Sequence, residues 1–339
     1  MSLPITPPIN LSFSAVQTAN QCARRAALSG PGAWQAWPNG LRANDTTAAL
    51  CYRAKHLQDL PAAFGQSLHA VLEKVVKQVA RTGRCPDYEW VYDQAMKPLR
   101  MLWQRRRDEF ERNPKLGYLR KPYFGEKIEV VETEQVKRRA QIAVSAALEA
   151  PLLEDLRELD RKDHLLTEEL LSMPFVAEGL PQASLFGKAD VVYIERRTLV
   201  IDQGIFAPGE GGIPIIVDFK TGRVRMEEFS LQLAILALLL EANGVPPHPV
   251  AGYVGRLIDL SEQAVERERW VLVGRADMDD AQAWLVRGLE TLTAMSRDED
   301  GFVKLHEVPK TVGPQCASCA MRGVCVEVDN AHLREGKAA

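Results

Sequence analysis

The sequence predicts a mixed α/β fold in which a central sheet is flanked by helices. Three observations favour this fold: an amphipathic helical pattern near the N-terminus, a run of short period-two segments after residue 160, and an apolar helix that two further strands follow. The chain has 339 residues, of which 46% are hydrophobic and 26% charged, and is long enough to bury a substantial core.

The first predicted element is a helix over residues 60–83, and Gly83 ends it. His69 lies beside its apolar stripe, which consists of Leu68, Val71, Leu72, Val75, Val76 and Val79. Residues 86–160 continue at helical spacing, and we predict a helical insertion of several helices there.

After residue 160 the hydrophobic period changes to two, which is typical of strands separated by Gly- and Pro-bearing turns. The predicted strands are LLTEELLSMPFVAEG, SLFGKADVVYIE, TLVIDQG and PIIVDFKTG. A helix over 227–242 follows and ends at Asn243-Gly244. The segments HPVAGYVGRLIDL and ERERWVLVG predict two more strands, and residues 278–295 predict an amphipathic helix.

Charge and targeting features limit the class of protein. The formal net charge of -3 gives no global sign of a polyanion partner, although a local basic track is compatible with it. No stretch of about 18 apolar residues is present, so we expect no membrane span. The N-terminus lacks the features of a signal peptide, so we expect a cytoplasmic protein in which clustered cysteines bind metal.

Two acids and a lysine suggest a catalytic centre. We expect Asp190 just inside one strand, whereas Asp218 and Lys220 end another and share a face because they are two residues apart. Two carboxylates at one point are best tolerated around a divalent cation, and Mg²⁺ acts on phosphate oxygens. Lys220 would orient the attacking water or neutralise charge on the phosphate. In isolation, these residues would be ordinary polar side chains at strand ends.

Two further side chains favour an active site. His69 occurs in GQSLH on the first helix, and a neutral imidazole is an acceptable ligand for Mn²⁺ or Mg²⁺. Gln232 is a polar residue on an otherwise apolar helix, and a catalytic site would supply the partners that a buried amide needs.

The cysteines predict a second metal centre. Cys316, Cys319 and Cys325 are spaced as C-x2-C-x5-C, close enough for one centre that needs a fourth thiolate. Cys22, Cys51 and Cys85 are the candidates for that ligand. The spacing suits an iron–sulfur cluster as well as zinc.

Together these residues resemble the RecB-like branch of the PD-(D/E)XK nuclease superfamily, and most closely the iron–sulfur nucleases of CRISPR adaptation and the AddB type of helicase–nuclease subunit. The resemblance rests on six segments in the family's order: SFSAVQTANQCARRAAL, GQSLH, GKAD, VDFKTG, the helix containing Gln232, and CASCAMRGVC.

The resemblance implies a restriction-endonuclease-like fold with a four-stranded mixed sheet, a 4Fe–4S cluster, and cleavage of DNA that depends on Mg²⁺ or Mn²⁺. It implies that His69, Asp190 and Asp218 hold the catalytic metal, with Lys220 and Gln232 beside it. It selects Cys22 over Cys51 and Cys85 as the fourth cluster ligand.

The resemblance also implies one integrated domain. Residues 1–60 would contribute one cluster cysteine, residues 61–300 would form the nuclease core with the insertion at about 86–160, and residues 301–339 would form the cluster region. The sequence departs from the family at Leu236, which stands where a tyrosine is usual. It also has a long insertion before Asp218. This insertion contains Asp202, which competes with Asp190 for the role of metal ligand, and Asp190 in GKAD is the better match to the family.

A further acid is often present in the family before GKAD, and Glu169 or Glu178 would fill that role. Candidate phosphate contacts are Arg24, Arg25 and residues 105–107. Trp34 and Trp37 would stack on unpaired bases or pack against the core.

The sequence thus predicts a DNA nuclease, an exonuclease on single-stranded or unwound DNA in CRISPR adaptation, DNA repair or phage defence. Other CRISPR, helicase or defence-system subunits are expected as partners. The alternative is a non-catalytic DNA-binding or assembly subunit that keeps the fold and the cluster.

Overall fold

A computed structural model describes residues 9–33, 46–248, 250–299, 303–317 and 319–338. Its helices are α1 (Phe13–Gln21), α2 (Ala23–Ala27), α3 (Thr46–Lys55), α4 (Leu60–Thr82), α5 (Tyr88–Gln104), α6 (Arg107–Arg112), α7 (Arg120–Tyr123), α8 (Val130–Leu148), α9 (Leu152–Glu158), α10 (Met226–Ala242), α11 (Arg275–Thr293) and α12 (Arg322–Ala338). A π-helical turn, Leu28–Gly32, follows α2.

The strands are β1 (Asn10–Leu11), β2 (Leu57–Gln58), β3 (Tyr118–Leu119), β4 (His164–Thr167), β5 (Leu170–Phe175), β6 (Ala183–Lys188), β7 (Val191–Glu195), β8 (Leu199–Ile201), β9 (Gly204–Phe206), β10 (Ile213–Lys220), β11 (Tyr253–Asp259) and β12 (Glu268–Val273). The mixed α/β fold predicted from the sequence is confirmed.

The central sheet has five strands in the order β12-β11-β10-β7-β4. Strand β10 lies in the middle, parallel to β11 and antiparallel to β7, so the sheet is mixed. Every residue of β10 except Lys220 is buried, because helices or strands cover both faces of the sheet. The resemblance implied a mixed sheet of four strands, and the central sheet of the structure has five.

A smaller sheet, in the order β1-β6-β5, lies beside the central one. Two segments predicted as single strands are each divided between the sheets: β4 is central and β5 is not, and β7 is central while β6 is not. The expectation that Asp190 lies just inside a strand is wrong, because Asp190 falls in the break between β6 and β7. The insertion before Asp218 forms a separate hairpin of β8 and β9.

Helices cover both faces of the central sheet. Helix α4 presents its apolar stripe to one face, and Gly83 ends it in the left-handed conformation at φ 68°. Helices α5, α8 and α9, which fall in the predicted insertion, pack with α4 into the same hydrophobic core. Helices α10 and α11 cover the opposite face. The segment 86–160 is therefore part of the helical layer that supports the sheet.

A third apolar cluster joins the two ends of the chain. It includes Ala27 and Leu28 near the N-terminus, Cys51 on α3, and Val308 and Met321 near the C-terminus. Within the described part of the chain, no helix is long and apolar enough to cross a membrane.

Candidate functional site

The candidate site lies where strands of the two sheets end and two helices meet them. His69 comes from α4, Glu168 follows β4 directly, and Asp190 occupies the break before β7. Asp218 and Lys220 end β10 and share one face of it, as predicted. Gln232 comes from the second turn of α10, so five elements of the fold deliver side chains to one place.

His69, Glu168 and Asp190 form a compact cluster of metal-ligating groups. One ligand atom from each lies within 4.8 Å of the other two. His69 Nδ1 is 3.1 Å from Asp190 Oδ1 and 3.7 Å from Glu168 Oε1. The backbone N–H of Phe219 donates to Asp190 Oδ2 at 2.6 Å, which fixes the second carboxylate oxygen. Among the described residues this is the one such cluster of three or more.

Burial and the interactions between the three groups together set the pKa values in the cluster. Burial lowers the pKa of His69, but hydrogen bonds to Asp190 and Glu168 outweigh it and raise the pKa to about 10. Burial raises the pKa of Asp190 to about 6, with a further increase from the charge of Asp218 and an opposing effect of His69. Burial also acts to raise the pKa of Glu168, yet hydrogen bonds to His69 and Lys188 bring it down to about 2. Without a metal, a protonated imidazole therefore balances carboxylates.

Asp218, Lys220 and Gln232 form a second hydrogen-bonded triangle next to this cluster. Lys220 Nζ donates to Gln232 Oε1 at 2.9 Å and to Asp218 Oδ1 at 3.1 Å, and Gln232 Nε2 donates to Asp218 Oδ1 at 3.0 Å. Asp218 is only 4% exposed. The half-buried amide of Gln232 thus has two polar partners, Asp218 and Lys220, at this end of the sheet.

The second oxygen of Asp218 tests whether a cation fits. Asp218 Oδ2 is buried and lies 2.8 Å from Lys220 Nζ, but no donor among the described residues is aligned with it for a hydrogen bond. A buried carboxylate oxygen in that state is costly unless a cation or donor satisfies it. Together with the oxygen-rich group of Glu168 and Asp190, this oxygen fits the ligands that Mg²⁺ and Mn²⁺ prefer.

Two glycines of the sequence motifs allow the close packing that builds the site. A Cβ on Gly65, in GQSLH, would lie 3.0 Å from Thr221 Oγ1, just after Lys220. A Cβ on Gly187, in GKAD, would lie 2.4 Å from a side-chain carbon of Leu239 on α10. The absence of a side chain at both positions lets the helices approach the strand ends.

Glu168 is the functional residue that the sequence analysis missed. Glu169 and Glu178, which were expected as the further acid, are both exposed and lie outside the cluster. Glu168 instead adopts a left-handed backbone, φ 55°, that turns its side chain into the site, and Lys188 Nζ lies 2.5 Å from its Oε2. The adjacent acids in TEEL were the available signal, but period-two alternation does not reveal which of them turns inward.

The cysteine region is arranged around a buried arginine. Arg24, two residues after Cys22, is 5% exposed. Its guanidinium donates to the carbonyls of Val308 and His306 and lies 3.0 Å from Asp329 Oδ1. The expectation that Arg24 contacts phosphate is wrong, because its charge is used to tie the Cys22 segment to the C-terminal region.

Cys319 and Cys325 pack against the apolar cluster that joins the chain ends. Burial raises the pKa of the Cys325 thiol, and the nearby Cys22 adds to that increase. Cys85 packs against the core beside α4 instead. Among the described residues, no three cysteines place their sulfurs within 4.8 Å of one another.

The other expected DNA contacts lie away from the site or are already paired. Arg106 and Arg107 form ion pairs with Asp108 and Glu111 on their own helix, and Arg105 donates to the carbonyl of Gly117. Asp202 is exposed in the turn between β8 and β9. Trp34 and Trp37 lie outside the described residues.

Comparison with known proteins identifies the family. A family model described as the PD-(D/E)XK nuclease superfamily matches residues 10–326. No curated protein matches the chain. The matched range includes every residue of the candidate site and all six cysteines.

We expect Glu168→Gln to weaken Mn²⁺ binding by about 10-fold to 100-fold, because it removes one of the charged groups in the cluster. Isothermal titration calorimetry on the metal-free protein measures the effect. Glu169→Gln is the matched control, since Glu169 is exposed one residue away, and it should bind Mn²⁺ as the wild type does. Equal affinities for the two variants would contradict the assignment of Glu168.

We also expect Mn²⁺ binding to release about one proton at pH 7.5, because His69 is protonated below its raised pKa of about 10 and must lose that proton to act as a ligand. Affinity should accordingly rise as the pH increases from 7 towards 10. Calorimetry in two buffers of different ionisation enthalpy counts the protons. His69→Asn should abolish the release, and a wild type that releases none would contradict the role of His69.

Proposed function

The chain belongs to the PD-(D/E)XK nuclease superfamily, and we propose that it is an active nuclease that hydrolyses phosphodiester bonds of DNA with Mg²⁺ or Mn²⁺. The observation that carries the proposal is the meeting of two intact groups at one end of the sheet: the cluster of His69, Glu168 and Asp190, and the triangle of Asp218, Lys220 and Gln232. A non-catalytic subunit would have no need to keep both.

In this proposal His69, Glu168, Asp190 and Asp218 hold the cation, which supplies Lewis acidity toward the phosphate and the attacking water. Lys220 carries the charge that faces the developing negative charge on the phosphate. Its ammonium has three N–H donors, and Asp218 and Gln232 are its two partners in the site. In this proposal the ammonium also donates to a phosphate oxygen or to the attacking water, and Asp218 and Gln232 fix its position.

The finer features of the proposal rest on the resemblance to the RecB-like branch. We place the protein in the cytoplasm as an exonuclease on single-stranded or unwound DNA, acting in CRISPR adaptation, DNA repair or phage defence with other subunits of such systems. Leu236 stands on α10 where the branch usually has a tyrosine, and its side chain is buried. In this proposal the replacement removes no metal ligand.

We further propose that Cys22, Cys316, Cys319 and Cys325 hold a 4Fe–4S cluster that fastens the chain ends together. Support comes from Arg24, which ties the Cys22 segment to Val308 and Asp329, and from the proximity of Cys22 to Cys325. Cys85 belongs to a different core and is unsuited to the role. Four thiolates from two chain segments provide the donor set that such a cluster needs.

The nuclease proposal is tested with a labelled single-stranded oligonucleotide and Mg²⁺ or Mn²⁺. Asp218→Asn and Lys220→Met should each reduce the cleavage rate by at least about 100-fold, because each removes charge at the reacting phosphate.

Asp202→Asn is the matched control, because Asp202 is an exposed acid in the β8–β9 turn, and it should cleave like the wild type. A wild type that leaves single-stranded, double-stranded and forked DNA intact with either metal would favour the non-catalytic alternative.

The cluster proposal predicts a brown protein after anaerobic purification, with broad absorbance near roughly 400 nm and about four irons per chain. Cys22→Ser should lose both the colour and the iron, since it removes one of the four ligands, whereas Cys85→Ser should keep them. Absorbance and iron analysis provide the measurements. A colourless wild type with stoichiometric zinc would refute the iron–sulfur assignment.

A further inference from the structure

A cleft of about 630 Å³ opens beside the carboxyl ends of β10 and β11. Arg223, three residues beyond Lys220, lies on one wall, and Asp259, the register partner of Lys220, lies on another. Arg269 from β12 completes the wall on the far side. The cleft therefore adjoins the catalytic end of the sheet without being part of the metal cluster.

Arg269 lies in line with the catalytic acid. Asp218 on β10 pairs with Leu257 on β11, and Leu257 pairs with Arg269 on β12. Directly paired residues project from the same face of a sheet, so Arg269 shares the face of Asp218. Two strand spacings separate their backbones, about 10 Å.

The hydrogen bonding of Arg269 is incomplete. Its Nε is buried and has no hydrogen-bond partner in the described part of the protein. Its nearest carboxylate contact is long, 3.5 Å from Nη2 to Asp259 Oδ2, and Asp259 Oδ1 already accepts from the backbone of Ser261.

Arg256 on the neighbouring strand is a buried arginine with a structural role, and its contacts can be compared with those of Arg269. It is 2% exposed and pairs with Asp155, Glu268 and the hydroxyl of Tyr193. Arg269 keeps 28% of its side chain exposed, and among the described residues its one ion pair is the 3.5 Å contact with Asp259. An arginine fork with open donors matches the paired oxygens of a phosphate.

Arg223 is the second arginine that lines the cleft. Arg223 is exposed, and the described residues contain no ion-pair partner for it. The guanidinium groups of Arg223 and Arg269 thus line the cleft together with the carboxylates of Asp259 and Glu266.

We propose that Arg269, together with Arg223, binds a backbone phosphate of the nucleic-acid strand that flanks the phosphate being cleaved. The inference rests on the proposed nuclease function and adds a direction: the strand leaves the metal cluster across β11 toward β12. The subsite recognises the phosphate backbone and is indifferent to the bases.

The test compares Arg269→Gln and Arg223→Gln with the control Arg275→Gln. Arg275 is also an exposed arginine, but it pairs with Glu241 at the other end of β12. Two substrates are used with Mn²⁺: a single-stranded oligonucleotide, and bis(p-nitrophenyl) phosphate, which has no flanking phosphate.

We expect the ratio of the two kcat/KM values, oligonucleotide over small ester, to fall about 10-fold in Arg269→Gln, since one charge-assisted phosphate contact is lost. Arg223→Gln should lower it less, and Arg275→Gln should leave it unchanged. In parallel, binding of the oligonucleotide with Ca²⁺ should show a smaller slope of log affinity against log salt for Arg269→Gln, by about one.

Failure of this inference and of the nuclease proposal are distinguishable. A wild type that hydrolyses neither substrate overturns the nuclease function, while the salt slopes still test the subsite. An active wild type whose Arg269→Gln and Arg223→Gln variants match Arg275→Gln in both ratio and slope overturns the subsite alone. A lower melting temperature of Arg269→Gln with an unchanged slope would make Arg269 a counterion of Asp259 and would equally overturn it.

Discussion

Repulsion among three buried carboxylates is the constraint on which the site depends. Glu168, Asp190 and Asp218 meet at the end of one sheet, and the charge of Asp218 acts to raise the pKa of the buried Asp190. Buried like charges are costly unless cations and hydrogen bonds offset them. Three cationic side chains provide that compensation. His69 contacts Asp190, Lys188 contacts Glu168, and Lys220 contacts Asp218. The fold must therefore deliver three cations together with the acids.

The passage of the chain between the two sheets makes this delivery possible. The chain leaves the central sheet after β4 and returns to it at β7, and Glu168 and Asp190 stand at these two crossings. The backbone N–H of Glu168 is shared between the carbonyls of Ala189 and Asp190, at 3.0 Å and 3.1 Å, so the crossings are held together. Both acids lie in backbone breaks, where a side chain is free of the alternation of a strand and can turn toward a common point.

The sequence was sufficient to predict what depends on periodicity and local motif. The apolar stripe of α4 and the position of Asp218 and Lys220 on one strand face follow from spacing within single elements. The contact of Gln232 with them was indicated by a polar residue on an otherwise apolar helix. The sequence did not predict the position of the Glu168 side chain. Its inward direction depends on the left-handed backbone of Glu168 itself and on the crossing of the chain between the two sheets. The structural role of Arg24 was hidden for a similar reason: its partners are about 280 to 305 residues away in sequence.

The compensating charges also prepare the site for its metal. In the metal-free protein the protonated imidazole of His69 contacts Asp190 and Glu168, where a divalent cation would place its own charge. Exchanging the proton for a cation replaces one positive charge by two, while Lys188 continues to hold Glu168 from the solvent side. The carboxylates therefore need not be assembled by the metal, because ion pairs already fix their positions. In the proposed function, a site built in this way would bind its cation at the cost of a proton, and its ligands would reorganise little.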